Sequence, residues 1–326
     1  MEKILEVSDL RIYYYLPQGV VRAVDGVSFD VYKGEILGIA GESGSGKSTL
    51  ALAISGLLRP PAKIVSGRII FMGRDLLSMD SEELRRIRGK EISMIFQDPS
   101  TYLNPVYTTG FQVAEVFEAH RGGHAKKYLG EVVKLFRMVK IADPERRVEA
   151  YPHQMSGGMR QRVLISMAIA ERPKLIVADE PTSALDVTIQ AEIVDLLNEI
   201  RKETGSSIIF ITHDLALLLE IADRIMIMYA GKVAEIGRAE EIAKDPLHPY
   251  TKALLASLRY ERKKRLQSIP GSIPSLINPP PGCRFHPRCQ FAMDICSKKD
   301  PVLINKGGRI VSCFLYGDEY GGDTKR

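Results

Sequence analysis

Positions 41 to 49 read Gly41-Glu42-Ser43-Gly44-Ser45-Gly46-Lys47-Ser48-Thr49, which satisfies the pattern G-x-x-x-x-G-K-[ST] in full. Glycines at 41, 44 and 46 let the backbone turn tightly, so that successive N–H groups face phosphate oxygens while a following helix adds the positive end of its dipole. Lys47 would reach the outer phosphates of a nucleotide and Ser48 a magnesium ion, with Ser43, Ser45 and Thr49 completing the loop. A plain glycine-rich turn before an ordinary helix is the simpler interpretation. It requires Lys47-Ser48 and the flanking strand and helix to coincide by accident.

Other residues with suitable chemistry stand at the ends of apolar runs. Residues 175–180 read Leu-Ile-Val-Ala-Asp-Glu, a strand ending in two carboxylates. Asp179 is expected to hold magnesium, and Glu180 to orient and deprotonate an attacking water. Gln97 ends a second strand and is a candidate to bring its amide oxygen near the same cation, although polar loop residues are common there. Ser156-Gly157-Gly158 opens an apolar helix whose free amides suit an anion, while capping alone would also account for the serine. His213 closes the strand over 207–212. A lone histidine is more often a surface or core residue, but the carboxyl end of a parallel strand favours a contact to the γ-phosphate.

The positioning elements follow from periodicity. Runs at 4–7, 10–16 and 27–31 alternate like strands of a small amino-terminal β layer, and 35–40 is the buried strand feeding the loop, followed by a helix over 49–58. Tyr13, Tyr14 and Tyr15 sit on that layer about thirty residues before Lys47. One ring can stack on a purine, worth about 1 kcal/mol beyond burial; Tyr14 is the choice, the other two being packing residues. Strands at 68–71 and 91–96 flank a charged helix capped by Ser78 or Asp80. Residues 100–150 are mostly helical and interrupt the α/β alternation. It resumes with a helix to about 170, the 175–180 strand, a long amphipathic helix from 187 to about 203, the 207–212 strand, and a hairpin of 224–229 with 233–236 around Gly231.

With 326 residues, 45% hydrophobic and 26% charged, the chain can bury a large core and carry extensions. Its opening residues are charged, and no apolar run approaches the ~18 residues of a membrane span, so a soluble, non-secreted protein is expected. A net charge of +5 is too weak to argue for nucleic acid, although residues 259–265 hold five basic side chains, a run most often found in solvated linkers.

The glycine loop, Gln97, Ser156-Gly157-Gly158, the 175–180 strand, residues 183–186 and His213 stand in the order and approximate spacing of the ATP-binding cassette (ABC) family, which the chain resembles over about 1–240. The resemblance implies an α/β fold: a RecA-like parallel-sheet core, an antiparallel β subdomain, a helical subdomain inserted at about 98–160, and ATP with magnesium as cofactors. It also implies two cassettes closing head to tail, with Ser156 and Gly158 touching the γ-phosphate held by the partner's loop and Asp186 reaching across. Met155 and Met159 depart from the commonest signature, Leu-Ser-Gly-Gly-Gln, and put in doubt a contact the glutamine would make.

Residues 241–326 resemble the carboxyl-terminal extension of dipeptide and oligopeptide importer ATPases, on His248-Pro249-Tyr250-Thr251, Ile269-Pro270-Gly271 and the run from Pro279 to Cys289. Related nickel importers carry similar extensions. The resemblance implies a second ATPase subunit, identical or related, two transmembrane permease subunits, an extracytoplasmic peptide-binding protein, and a peripheral position on the cytoplasmic face of the membrane. All four cysteines, Cys283, Cys289, Cys296 and Cys313, lie in this extension. Their clustering in a chain that handles cytosolic nucleotide suggests a metal site before disulfides. A tetrahedral zinc and an iron–sulfur cluster both suit four thiolates. Close Cys-x-x-Cys pairs are missing, and the resemblance includes a [4Fe–4S] cluster in some dipeptide importer ATPases, so the cluster ranks first, zinc second and disulfides third. A soluble cassette ATPase acting on nucleic acid would favour two cassettes in one chain or a long coiled coil, which the sequence lacks. A non-catalytic cassette is disfavoured by intact Lys47, Asp179, Glu180 and His213.

Overall fold

The computed structural model describes residues 2–183, 185–258 and 269–317; Ala184 of the 183–186 stretch and the basic run at 259–265 lie outside them. The chain opens with β1 (Lys3–Leu16) and β2 (Gly19–Tyr32), then β3 (Ile36–Ala40), α1 (Lys47–Ile54), β4 (Ala62–Phe71), β5 (Arg74–Asp75) and α2 (Ser81–Ile87). The 4–7 and 10–16 runs are one strand, kinked by an irregular register between Val7 and Leu10 where Asp9 takes a positive φ of 45°. Likewise 27–31 is the end of a fourteen-residue strand, whose first half, Gly-Val-Val-Arg-Ala-Val-Asp, shows no clean alternation and is set by its pairing with β1. Together β2-β1-β4-β5 make an antiparallel layer.

Next come β6 (Ile92–Ile95), α3 (Pro99–Tyr102), α4 (Thr109–Arg121), α5 (Leu129–Met138), α6 (Pro144–Arg147), α7 (Gly157–Ile169), β7 (Leu175–Asp179), α8 (Val187–Thr204), β8 (Ser207–Ile211) and α9 (Leu215–Ile221). The segment between β6 and β7 is helical, as its composition suggests. Val113, Phe117, Val132, Phe136 and Val163 meet in its apolar interior. Arg162 anchors it, donating to the Val139 carbonyl at 2.8 Å and to Glu192 at 2.7 Å. Finally β9 (Arg224–Tyr229) and β10 (Lys232–Arg238) form the expected hairpin, followed by α10 (Ala239–Lys244), α11 (Pro249–Leu258), β11 (Ile304–Lys306) and β12 (Arg309–Val311).

The second sheet runs β11-β12-β10-β9-β3-β8-β7-β6, parallel from β9 to β6. Along its central strands alternate residues enter different cores. Leu37, Ile39, Val177, Ile209, Ile211 and Met226 face the antiparallel layer and α1, whereas Ile36, Ala40, Ile176, Ala178, Ile208 and Phe210 face the helices. Burial on both faces is why these strands read as continuous apolar runs rather than alternating ones. The carboxyl-terminal extension joins this sheet, with Glu235 opposite Val311 and Ile236 opposite Ile310. No helix among the described residues is long and apolar enough to cross a membrane.

Of the two candidate caps for α2, the side chain of Asp80 accepts from the N–H groups of Glu82 and Glu83, and Glu83 returns the bond to Asp80 N–H. Ser78 instead donates to the Asp75 carbonyl. Asp80→Ala should therefore cost about 1 kcal/mol in denaturant unfolding, while Ser78→Ala stays within about 0.5 kcal/mol.

Candidate nucleotide-phosphate site

Because β3, β6, β7 and β8 run parallel, their carboxyl ends lie along one edge of the sheet, where α/β proteins bind ligands. β3 leads into residues 41–46, β6 into Gln97, β7 ends in Asp179-Glu180, and β8 is followed by His213. Lys47 begins α1 rather than preceding it, two residues earlier than periodicity indicates. The loop's glycines account for that early start. Gly46 has φ +100°, and a Cβ there would lie 2.1 Å from the Ala23 carbonyl oxygen; a Cβ on Gly41 would meet the Met228 carbonyl at the same separation. Backbone of β2 and β9 thus abuts the loop on two sides.

Lys47 is buried, and its ammonium donates to the carbonyls of Gly41 at 2.8 Å and Glu42 at 3.0 Å. Burial holds it below the ordinary lysine range, against the pull of Glu180, Asp179 and Glu42. Ser48 donates to Asp179 at 3.2 Å. For Asp179 burial raises the pKa, opposed by the Ser48 hydrogen bond and by Lys47. Charge is disfavoured on both buried groups, so an anion beside Lys47 and a divalent cation beside Asp179 would each offset a desolvation penalty. The Ser48 hydroxyl and Asp179 carboxylate fit magnesium, which takes hard oxygen donors.

Glu180 holds a non-glycine φ of 45°, and its N–H donates to the Ile211 carbonyl at 2.9 Å. Such a conformation costs about 1–3 kcal/mol and persists where surrounding structure enforces it. Its Oε2 receives Gln97 Nε2 at 3.3 Å and lies 3.3 Å from His213 Nδ1. Three strand ends therefore meet on one carboxylate, with His213 the more exposed member. Of the three tyrosines, Tyr14 reaches the loop, its hydroxyl 3.1 Å from that of Thr49. Tyr13 donates to Asp25, and Tyr15 is largely exposed.

Ser156 and Asp186 stand apart. Each caps its own helix, Ser156 accepting from Met159 N–H at 3.3 Å and Asp186 from Ile189 N–H at 3.0 Å. Gly158 lies so close to Ile189 that a Cβ would be 2.8 Å from it, and Gly157 faces Leu185. The two helix starts form a joint patch, and among the described residues neither side chain hydrogen-bonds to the 41–49 loop.

Sequence reasoning missed Glu42 as more than a loop spacer. Its carboxylate pairs with Arg288 and its N–H donates to the Tyr250 hydroxyl at 3.0 Å. Both partners belong to motifs of the extension, but nothing in their spacing points back across the chain.

All four cysteines are free, so the disulfide alternative is not what the fold contains. Burial pushes the Cys313 thiol up to about 12, with Cys283, Cys289 and Cys296 adding to the rise, and Cys283 up to about 11. As placed, no group of three or more His, Cys, Asp or Glu side chains among the described residues could hold a metal ion.

Residues 24–183 match the ABC transporter family, and residues 234–296 match the oligopeptide/dipeptide transporter C-terminal region. The chain is 48% identical to the dipeptide transport ATP-binding protein DppD of Haemophilus influenzae, over 98% of this chain and 97% of that protein. It is 45% identical to the oligopeptide transport ATP-binding protein OppD of Salmonella typhimurium, over 95% and 93%. The ATP-binding cassette MJ0796, solved as a post-hydrolysis dimer bound to ADP and phosphate, superposes with a TM-score of 0.65 at 28% identity, covering 72% of this chain and 98% of that one.

The loop makes one clear forecast. Gly44 has φ +76° with open space where a Cβ would go, so Gly44→Ala should cost about 1–2 kcal/mol of left-handed backbone strain. Gly46→Ala adds a backbone clash and should lower Tm further; equal thermal shifts would contradict the packing described.

Proposed function

Since the chain belongs to the ATP-binding cassette transporter family, in the branch that carries the oligopeptide/dipeptide transporter C-terminal region, we propose that it is the ATP-hydrolysing subunit of an importer for dipeptides or oligopeptides. The observation that carries this reading is the meeting of Lys47, Ser48, Asp179, Gln97, Glu180 and His213 at one sheet edge, in a chain similar over nearly its whole length to DppD. A nickel importer of the same family is the alternative cargo class.

In this reading residues 41–49 bind the ATP phosphates through backbone N–H groups and Lys47. Tyr14 supports the base. Ser48, Gln97 and Asp179 would hold magnesium, which when bound neutralises charge on the phosphates. Glu180 accepts the proton of the attacking water, and His213 positions the γ-phosphate. The separation of Ser156, Gly157, Gly158 and Asp186 from the chain's own loop supports their acting in trans, on nucleotide held by a second ATPase subunit. Closure would pass to the permease pair through the segment after Gln97, where Arg160 of α7 bonds Ser100 at 3.0 Å and Tyr102, Val106 and Tyr107 are exposed. The protein would sit peripherally on the cytoplasmic face, working with an extracytoplasmic binding protein and no nucleic acid. Residues 1–240 would be the cassette, with its helical subdomain at about 98–160, and 241–326 the extension. The grouping of all four cysteines within the extension, each a free thiol, is what supports their holding a [4Fe–4S] cluster in a structural role, with zinc the alternative.

Glu180→Gln should trap an ATP-bound dimer and lower turnover about 10²–10⁴-fold; undiminished turnover would refute the role of Glu180. Lys47→Ala should lose nucleotide affinity. Protein purified without oxygen should be brown and contain iron with acid-labile sulfide, whereas colourless protein with stoichiometric zinc would reject the cluster.

A further inference from the structure

Among the described residues, the extension's hydrogen bonds to the phosphate loop converge on Glu42. Arg288 Nη1 donates to Glu42 Oε2 at 2.8 Å and Nη2 to Oε1 at 3.1 Å, a two-bonded fork that is 6% exposed on the arginine side and 22% on the glutamate side. The arginine is itself fixed, by Nε on the Pro270 carbonyl at 2.8 Å and Nη1 on the Tyr229 hydroxyl at 3.1 Å. Tyr250, wholly buried against Tyr229 and Phe285, holds the Glu42 N–H through its hydroxyl. A second arginine of the segment, Arg284, bonds the Ala230 carbonyl and Asp25, beside the Gly231 N–H that donates to Ser45 O at 3.0 Å.

Glu42 is an awkward neighbour for a phosphate. Its carbonyl already accepts from Lys47, and its negative charge already acts on that ammonium. Left unpaired, the carboxylate would compete with phosphate for Lys47 and repel the ligand. A bidentate arginine cancels the charge and fixes the side chain in one geometry.

We propose that Arg288 is a positioning residue for the nucleotide: by neutralising and holding Glu42 it keeps Lys47 available to phosphate, so the cysteine-bearing extension sets the loop's affinity. This rests on the nucleotide-binding reading above, and the two can fail separately.

The test is titration calorimetry of the full chain with magnesium–ADP. Arg288→Gln should weaken binding about tenfold, the loss expected for one charge-assisted contact. Adding Glu42→Gln to that variant should restore affinity to within about twofold of wild type, because the offending charge is gone; a merely structural arginine would show no such rescue. Wild-type affinity in Arg288→Gln, or a double variant no tighter than the single, overturns the proposal. Should Arg288→Gln fail to fold, Arg288→Met, which also removes the charge, is read the same way, and unchanged affinity overturns the proposal. Lys47→Ala runs alongside: if it too binds normally, the nucleotide reading falls, whereas if it alone loses binding while Arg288→Gln does not, only the positioning role falls.

Discussion

A buried ammonium needs acceptors, and the Lys47 site is built around that need. The loop supplies two carbonyls, from Gly41 and Glu42, while on the strand end opposite Asp179 accepts from Ser48. Both charges are penalised by burial. In a desolvated site of this kind a phosphate and a divalent cation would each relieve a cost the protein already bears. The Glu180 carboxylate, next to Asp179, is set on strained backbone and flanked by Gln97 and His213. Holding it needs two neighbouring strands, which is the service a parallel sheet performs.

The same sheet explains how a proline-rich extension becomes part of the site. Strand β12 pairs with β10, and the turn between β9 and β10 lies against the loop, with Gly231 donating to Ser45. Buried Glu235 accepts from the N–H groups of Leu247 and His248, so the chain leaving β10 is pinned to the sheet before Tyr250 is delivered to Glu42. Arginines 284 and 288 then complete the attachment from the cysteine segment. The extension is a brace on the nucleotide loop as much as an appendage.

How far the sequence led depends on the range of each interaction. The core strands were legible because burial on both faces enforces apolar runs, and the charged helix after residue 80 because its cap is local. The kink at Asp9 and the non-alternating first half of β2 were not, since pairing with another strand creates them. Nor were α9, whose seven-residue, almost wholly apolar run is too short to show a helical period, and the three-residue strands of the extension, whose stability comes from the sheet they join. The cysteines were legible as a group, yet spacing alone does not fix how near four thiols on irregular backbone come to one another.

The sequence by itself determined which chemical groups are present and which local turns can form: a glycine loop ending in lysine and serine, an apolar strand ending in two acids, a serine and an aspartate capping their helices. Those depend on neighbours a few residues away. Only the tertiary structure decided that Gln97 and Glu180, 83 residues apart, share a contact, and that Arg288 reaches back across 246 residues to Glu42. Such contacts exist because a parallel sheet gathers its strand ends at one edge and because buried charges must find partners, constraints that act on the folded chain as a whole.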